Sequence, residues 1–156
     1  MKKIAISFIL VLFMSGGVFA ETEMLGPLTK GQILSGVPDW EAVAAAYQPN
    51  AEAIARLKAD NRPILIEVYL GTWCPDSKAN VSAFFKILDM TDNPYIQTAY
   101  VGLPRDKAVR VKYIPEGKNI VKLPTFILSI DGQEKGRIIE NPAKSVEADL
   151  ISFLEK

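Results

Sequence analysis

The run Trp73-Cys74-Pro75-Asp76-Ser77 holds the residues of this 156-residue chain whose types and spacing suit covalent chemistry. Cys74 is the only cysteine, and a sulfur nucleophile attacks as its thiolate. Upstream, Ile64 to Leu70 is short, apolar and rich in β-branched residues, as a strand is; downstream, Val81, Phe84, Phe85 and Leu88 recur at helical spacing. The spacing predicts a strand that turns sharply into a helix, with Cys74 at the helix start. Unpaired backbone N–H groups and the positive end of the helix dipole favour an anion there, so the sulfur becomes more nucleophilic. Pro75 suits the first helical position, where a missing N–H leaves no bond unmade. Trp73 adds a flat apolar surface, and Ser77, one turn on, is either a polar first-turn residue with no role or a hydroxyl that donates to Cys74. Asp76 acts in two directions, favouring the helix N-terminus by its charge while opposing a thiolate beside it. The bland alternative for Cys74 is a small, inert core residue.

The chain contains no histidine, which removes Cys-His and Ser-His catalysis and the usual zinc sites, so no metal ligand set is expected. Residues 1–20 read as an export signal: Lys2 and Lys3, an apolar run from Ile4 to Met14, then small residues ending at Ala20. That run is shorter than the roughly 20 residues that span a bilayer, so no stable membrane anchor is expected, and the mature chain is expected in the periplasm or outside the cell. An exported domain with one cysteine cannot form an internal disulfide; the thiol is inert, paired with another chain, or reactive. Without Lys2 and Lys3 the 18 basic residues become 16 against 18 acidic ones, and no basic run is long enough to follow a phosphate backbone. Nucleic-acid binding is disfavoured.

The elements that must position Cys74 follow from periodicity. Residues 21–37 show no sustained period and read as an irregular lead-in. Trp40, Val43, Ala44 and Tyr47 form a helical stripe with Asp39 as its cap, and Asn50 caps a second helix through Ile54 and Leu57. After the strand and the cysteine turn, the helix runs to about Met90, stopped by Thr91-Asp92-Asn93-Pro94. Ile96 to Leu103 reads as a second strand, parallel to the first because a helix joins them. Arg105 to Lys112 is a charged segment read as a short helix with a solvated face, and Ile114 to Asn119 is loop. Leu123 to Ile130 is a strand with a proline at its entry; Asp131-Gly132 marks a hairpin, and Arg137 to Glu140 returns antiparallel. A last helix begins at Ser145 and turns Val146, Leu150, Phe153 and Leu154 inward. This order gives an α/β domain with a mixed sheet and helices on both faces, one domain in the 136 residues that cleavage would leave.

Trp73-Cys74-Pro75 at a strand-to-helix turn, with Leu123-Pro124-Thr125 fifty residues on and then a hairpin and helix, resembles the thioredoxin family over residues 63–156. The resemblance implies a three-layer α/β/α sandwich, residues 21–62 standing before it as a lead-in with helices. It further implies a cis Leu123–Pro124 bond lying against the thiol. Two departures stand out. The family's second cysteine is replaced by Ser77, giving C-x-x-S, so Cys74 can form a mixed disulfide but cannot release it internally. The buried acid that many members place six residues before the cysteine falls on Val68; Glu67 is one residue off and, by strand alternation, faces the other side.

In function, the resemblance implies an exported thiol-disulfide oxidoreductase or isomerase with one nucleophile, Cys74, assisted by Ser77. Trp73, Pro75, Leu123, Pro124 and Thr125 would line the substrate. The implied partners are protein disulfides or small-molecule thiols. No cofactor is implied beyond an external thiol, such as glutathione, acting as co-substrate. A rival reading keeps the scaffold but not the chemistry: a binding module that holds a partner in the groove beside Pro124.

Overall fold

Ile64–Leu70, the most consistently apolar strand segment, becomes the strand that the others are laid against. In the computed structural model, which describes residues 23–156, this strand (β2) pairs in parallel with β3 (Ile96–Gly102) and antiparallel with β4 (Thr125–Ile130). The expected export signal at residues 1–20 lies outside the described residues. β1 (Gly26–Leu28) adds antiparallel to β3, and β5 (Gln133–Ile139) antiparallel to β4, giving the order β1-β3-β2-β4-β5. Asp131 and Gly132 connect β4 to β5 with φ of 51° and 74°, the left-handed pair that a tight hairpin of this twist requires.

Alternation along β2 separates two cores. Ile64, Ile66, Val68 and Leu70 enter the main core with Phe84, Phe85, Phe126 and Leu150, whereas Tyr69 joins a smaller cluster with Cys74, Leu103, Leu123 and Ile127. Each fully buried side chain of this size contributes roughly 1.5–3 kcal/mol by transfer from water. Four helices make the deep layer over the main core: α2 (Asp39–Ala46), α3 (Ala51–Ala59) and α6 (Val146–Leu154) pack around α4 (Pro75–Thr91). Phe84 meets Phe126 edge to face at 5.4 Å, and Phe85 meets Tyr100 at 5.6 Å, fixing α4 on the sheet. The opposite face is covered by the single turn of α5 (Lys107–Arg110) and by the segment after it, from which Tyr113, Ile114 and Ile120 pack on the smaller cluster. The architecture is the α/β arrangement expected, with helical layers of unequal depth.

The N-terminal part departs from expectation. The supposed irregular lead-in at 21–37 supplies β1 and a further helix, α1 (Lys30–Gly36), closed by a capping box between Thr29 and Gln32. Hydrophobic period misses both, because β1 is three residues long and α1 buries only Ile33 among its seven residues. Gly102 makes the β1 contact possible: a Cβ there would lie 2.1 Å from the carbonyl oxygen of Met24. The main core draws on residues from Ile33 to Leu154, so this part packs in one unit with the rest. Asp39 is not a cap either. Pro38 takes the N-cap position of α2, and Asp39 lies in the first turn, where its charge suits the helix dipole and pairs with Lys78 of α4.

One buried acid ties the helical layer together. Glu147, 3% exposed, accepts the Tyr47 hydroxyl at 2.8 Å and the Asn50 N–H at 3.0 Å, joining α6 to the turn between α2 and α3. Burial pushes its carboxyl up, but the Asn50 N–H and the Tyr47 hydroxyl outweigh this and hold it below the usual range. Burial first, and the hydrogen bond to Glu147 second, push Tyr47 up to about 12. The Glu147 contribution is therefore fully present above the unfolded carboxyl value of about 4.3 and is lost as pH falls through the lower folded value. The Tyr47 contribution is present below about pH 10 and lost as pH rises toward its folded value. Glu147→Gln is expected to lower stability at pH 7 by about 1–3 kcal/mol and to flatten the acid limb of a stability-against-pH curve measured by urea unfolding.

Candidate active site

The site begins where the pairing of β2 ends. The Leu70 carbonyl still accepts from Leu103 N–H at 2.8 Å, and the chain then turns at Gly71. Both polar groups of Gly71 are used in the turn: its carbonyl accepts the Cys74 N–H at 2.9 Å, and its N–H donates to Ser77 Oγ at 3.1 Å. A side chain at Gly71 would collide with Trp73, since a Cβ would stand 2.7 Å from the indole Cε2. Cys74 is the N-cap of α4, with φ −94° and ψ 123°, and Pro75 follows as the first helical residue.

The sulfur faces the loop before β4. Cys74 Sγ lies 3.6 Å from the Leu123 carbonyl oxygen, to which the thiol donates. The Leu123–Pro124 peptide bond is cis. This loop is held from both ends: Thr125 Oγ1 donates to the Lys122 carbonyl at 2.7 Å, and Glu140 N–H donates to the Pro124 carbonyl at 2.7 Å. Trp73, Cys74, Leu123 and Asp76 line one groove of about 260 Å³, whose rim carries Lys107, Lys122 and Glu140. Lys122 and Glu140 are paired with each other.

Of the residues expected to act together, Trp73, Cys74 and Leu123 meet at this groove; Pro75 lies beside it, exposed, and Thr125 lies behind it, buried. Ser77 is in a different position from the one expected. Its hydroxyl is fully buried, accepts the Gly71 N–H, and makes no hydrogen bond to Cys74 among the described residues. Spacing along a helix places residue 77 one turn from residue 74 but does not show that the strand end carries a free N–H needing an acceptor.

Arg110 is the residue that sequence reasoning missed. The segment Arg105 to Lys112 was expected to be solvated, yet Arg110 is 7% exposed and lies under Trp73, its guanidinium carbon 5.6 Å from the ring, with that of Arg105 at 4.9 Å. Its Nε donates to the Pro104 carbonyl at 2.9 Å and its Nη2 to the Arg105 carbonyl at 3.3 Å. Trp73 Nε1 donates to the Leu103 carbonyl at 2.9 Å, so the indole is fixed at its edge and on its face. The one readable signal was Trp73 itself, a large aromatic in a chain with a run of arginines and lysines thirty residues on.

Glu67 takes the side of β2 opposite Val68, with the pairing to β3 and β4 regular through it. It pairs with Lys118 and accepts the Tyr69 hydroxyl at 3.3 Å. Burial, with the Glu67 charge next, pushes the Tyr69 phenol up to about 12. Arg137 donates to the carbonyls of Lys118 and Asn119 at 3.1 and 3.4 Å, so these charges secure the segment leading to Leu123. Among the described residues no group of three or more acidic or cysteine side chains is gathered to hold a metal ion, and no helix is long and apolar enough to cross a membrane.

A sheet of this order whose central strand feeds a helix capped by cysteine, facing a proline loop, defines a thioredoxin-like domain. A family model described as "Thioredoxin" matches residues 37–150, and the chain belongs to that family. Two solved structures share the fold. One is a protein of unknown function from Pseudomonas aeruginosa, 17% identical, with a TM-score of 0.51, covering 79% of this chain and 72% of that one. The other is an HIV epitope-scaffold, 18% identical, with a TM-score of 0.50, covering 79% and 74%. No curated protein matches.

Ser77→Ala tests the structural assignment of that hydroxyl. Leaving the buried Gly71 N–H without an acceptor is expected to lower unfolding stability by about 1–3 kcal/mol, with the loss measured by chemical denaturation. Gly71→Ala is expected to displace the Trp73 ring and change its near-ultraviolet dichroism; an unchanged spectrum would contradict the packing described.

Proposed function

We propose that the protein carries out thiol-disulfide exchange with Cys74 as its single nucleophile. The observation that supports this most directly is the placement of Cys74 Sγ at the α4 N-terminus, against the Leu123 carbonyl and lining a groove. In the proposed reaction the Cys74 thiolate attacks one sulfur of a substrate disulfide. A new S–S bond forms to Cys74, the substrate S–S bond breaks, and the other substrate sulfur leaves as a thiolate. A second thiol then attacks this mixed disulfide and displaces Cys74 as thiolate; one disulfide is consumed and one is formed, so no external oxidant enters. That second thiol comes from the substrate or from a small molecule, because the chain has no other cysteine. Isomerisation or removal of a small thiol from a protein suits such a site better than net dithiol oxidation. An extended substrate is taken to lie along the Leu123–Pro124 segment beside the sulfur.

The mature chain is taken to work outside the cytoplasm, on the strength of Lys2, Lys3 and the apolar run and small residues that end at Ala20. Since Ser77 cannot resolve a mixed disulfide, disulfide substrates are expected to remain attached to Cys74 on a non-reducing gel and to be released by excess small thiol. Cys74→Ser is expected to abolish the adducts. Turnover that stays undetectable with excess small thiol, together with partner binding that survives Cys74→Ser, would favour a non-catalytic binding module instead.

A further inference from the structure

Arg110 is a buried cation without a counter-ion among the described residues. Buried charges are ordinarily paired, because removing an ion from water is costly unless an opposite charge replaces the solvent. Arg110 is 7% exposed, and it is held by two backbone carbonyls and the Trp73 ring, none of them an anion. Asp76 and Glu140 line the same groove, but neither forms an ion pair with Arg110 among the described residues, and Glu140 is taken by Lys122. Nη1 has no hydrogen-bond partner among those residues. It is not sealed off either: the buried side-chain polar atoms left unpartnered and out of solvent contact are the hydroxyls of Ser82 and Thr91. Nη1 therefore keeps some contact with solvent, and Arg110 is among the residues lining the groove that Cys74 lines.

We infer that Arg110 is a carboxylate-binding residue, so that the preferred thiols and disulfides carry a carboxylate close to the reacting sulfur. The guanidinium presents N–H donors in a planar fork that fits a carboxylate, and its hydrogen bonds to the Pro104 and Arg105 carbonyls orient that fork before a ligand arrives. Lys107 on the rim adds a positive charge of the same sense. The inference names the substrate class of the site proposed above and rests on Cys74 being the reacting group.

The test compares alkylation of Cys74 by iodoacetate and by iodoacetamide, which differ in a carboxylate and transfer their carbon to sulfur with loss of iodide. No disulfide exchange is involved, so this inference and the proposed function fail separately. At equal ionic strength, the iodoacetate-to-iodoacetamide rate ratio of the folded protein is expected to exceed that of the same chain unfolded in urea by about tenfold, as a charge-assisted hydrogen bond would give. This arm needs no variant. Arg110→Gln is expected to remove most of the excess, Arg110→Lys to retain part of it, and Lys107→Gln to lower it less than Arg110→Gln does. A ratio no higher in the folded than in the unfolded chain overturns the inference, as does an Arg110→Gln protein that is slowed equally toward both reagents. Lys107→Gln acting as strongly as Arg110→Gln would overturn the assignment to Arg110. Two further arms identify the source of the carboxylate: Arg110-dependent adducts with glutathione disulfide point to a small thiol, and with an end-blocked cysteine peptide flanked by Asp to a polypeptide. A high alkylation ratio with no adduct from either would leave the anion site standing and overturn the exchange reaction.

Discussion

Gly71 joins the central strand to the helix that carries the sulfur, and it satisfies both of its backbone polar groups within the turn, through Cys74 N–H and Ser77 Oγ. Everything at the site depends on that closure. β2 is hydrogen-bonded on both sides and α4 is anchored by Phe84 and Phe85, so neither can shift to accommodate a different junction. With both elements fixed, the position of Cys74 is set by rigid backbone, which holds a side chain more closely than a free loop would. The facing wall is fixed in the same way, since the Leu123–Pro124 segment is held by Thr125 and Glu140 at the start of β4 and the end of β5.

The unequal covering of the sheet decides the character of that wall. The deep helical layer lies over the main core, while the other face is closed by one turn of helix and the segment running on to Leu123. So short a cover buries charged groups along with apolar ones. Arg110 lies under Trp73, and Lys118 and Arg137 hold the segment against Glu67 and the edge of the sheet. The charges near the sulfur are therefore part of the covering layer itself.

Ser77 replaces the family's second cysteine without leaving its place idle. A hydroxyl accepts a backbone N–H better than a thiol does, and this one caps the end of β2 where a buried donor would otherwise be orphaned. The serine at this position thereby contributes to the stability of the turn.

Much of this was legible in the residues. The apolar run Ile64 to Leu70, the helical period of Val81 to Leu88 and the Asp131-Gly132 turn specify strand, helix and hairpin by local geometry, and the single cysteine and absent histidine limit the chemistry by residue type. Local signals fail where an element is too short to show a period, as in β1 and α1, whose existence depends on pairing with β3 and on burying Ile33. They fail also where a polar side chain acts through a partner distant in sequence. Trp73 with Arg110, Glu67 with Lys118 and Tyr47 with Glu147 are separated by 37, 51 and 100 positions, and no spacing rule reaches across such gaps. The sequence by itself determined which atom can react and which segments are strand or helix, because those properties belong to residue types and nearest neighbours. Only the tertiary structure decided that Ser77 serves the backbone, that Arg110 is buried beside the sulfur, and that the N-terminal segment joins the sheet, because burial and pairing are properties of the packed chain.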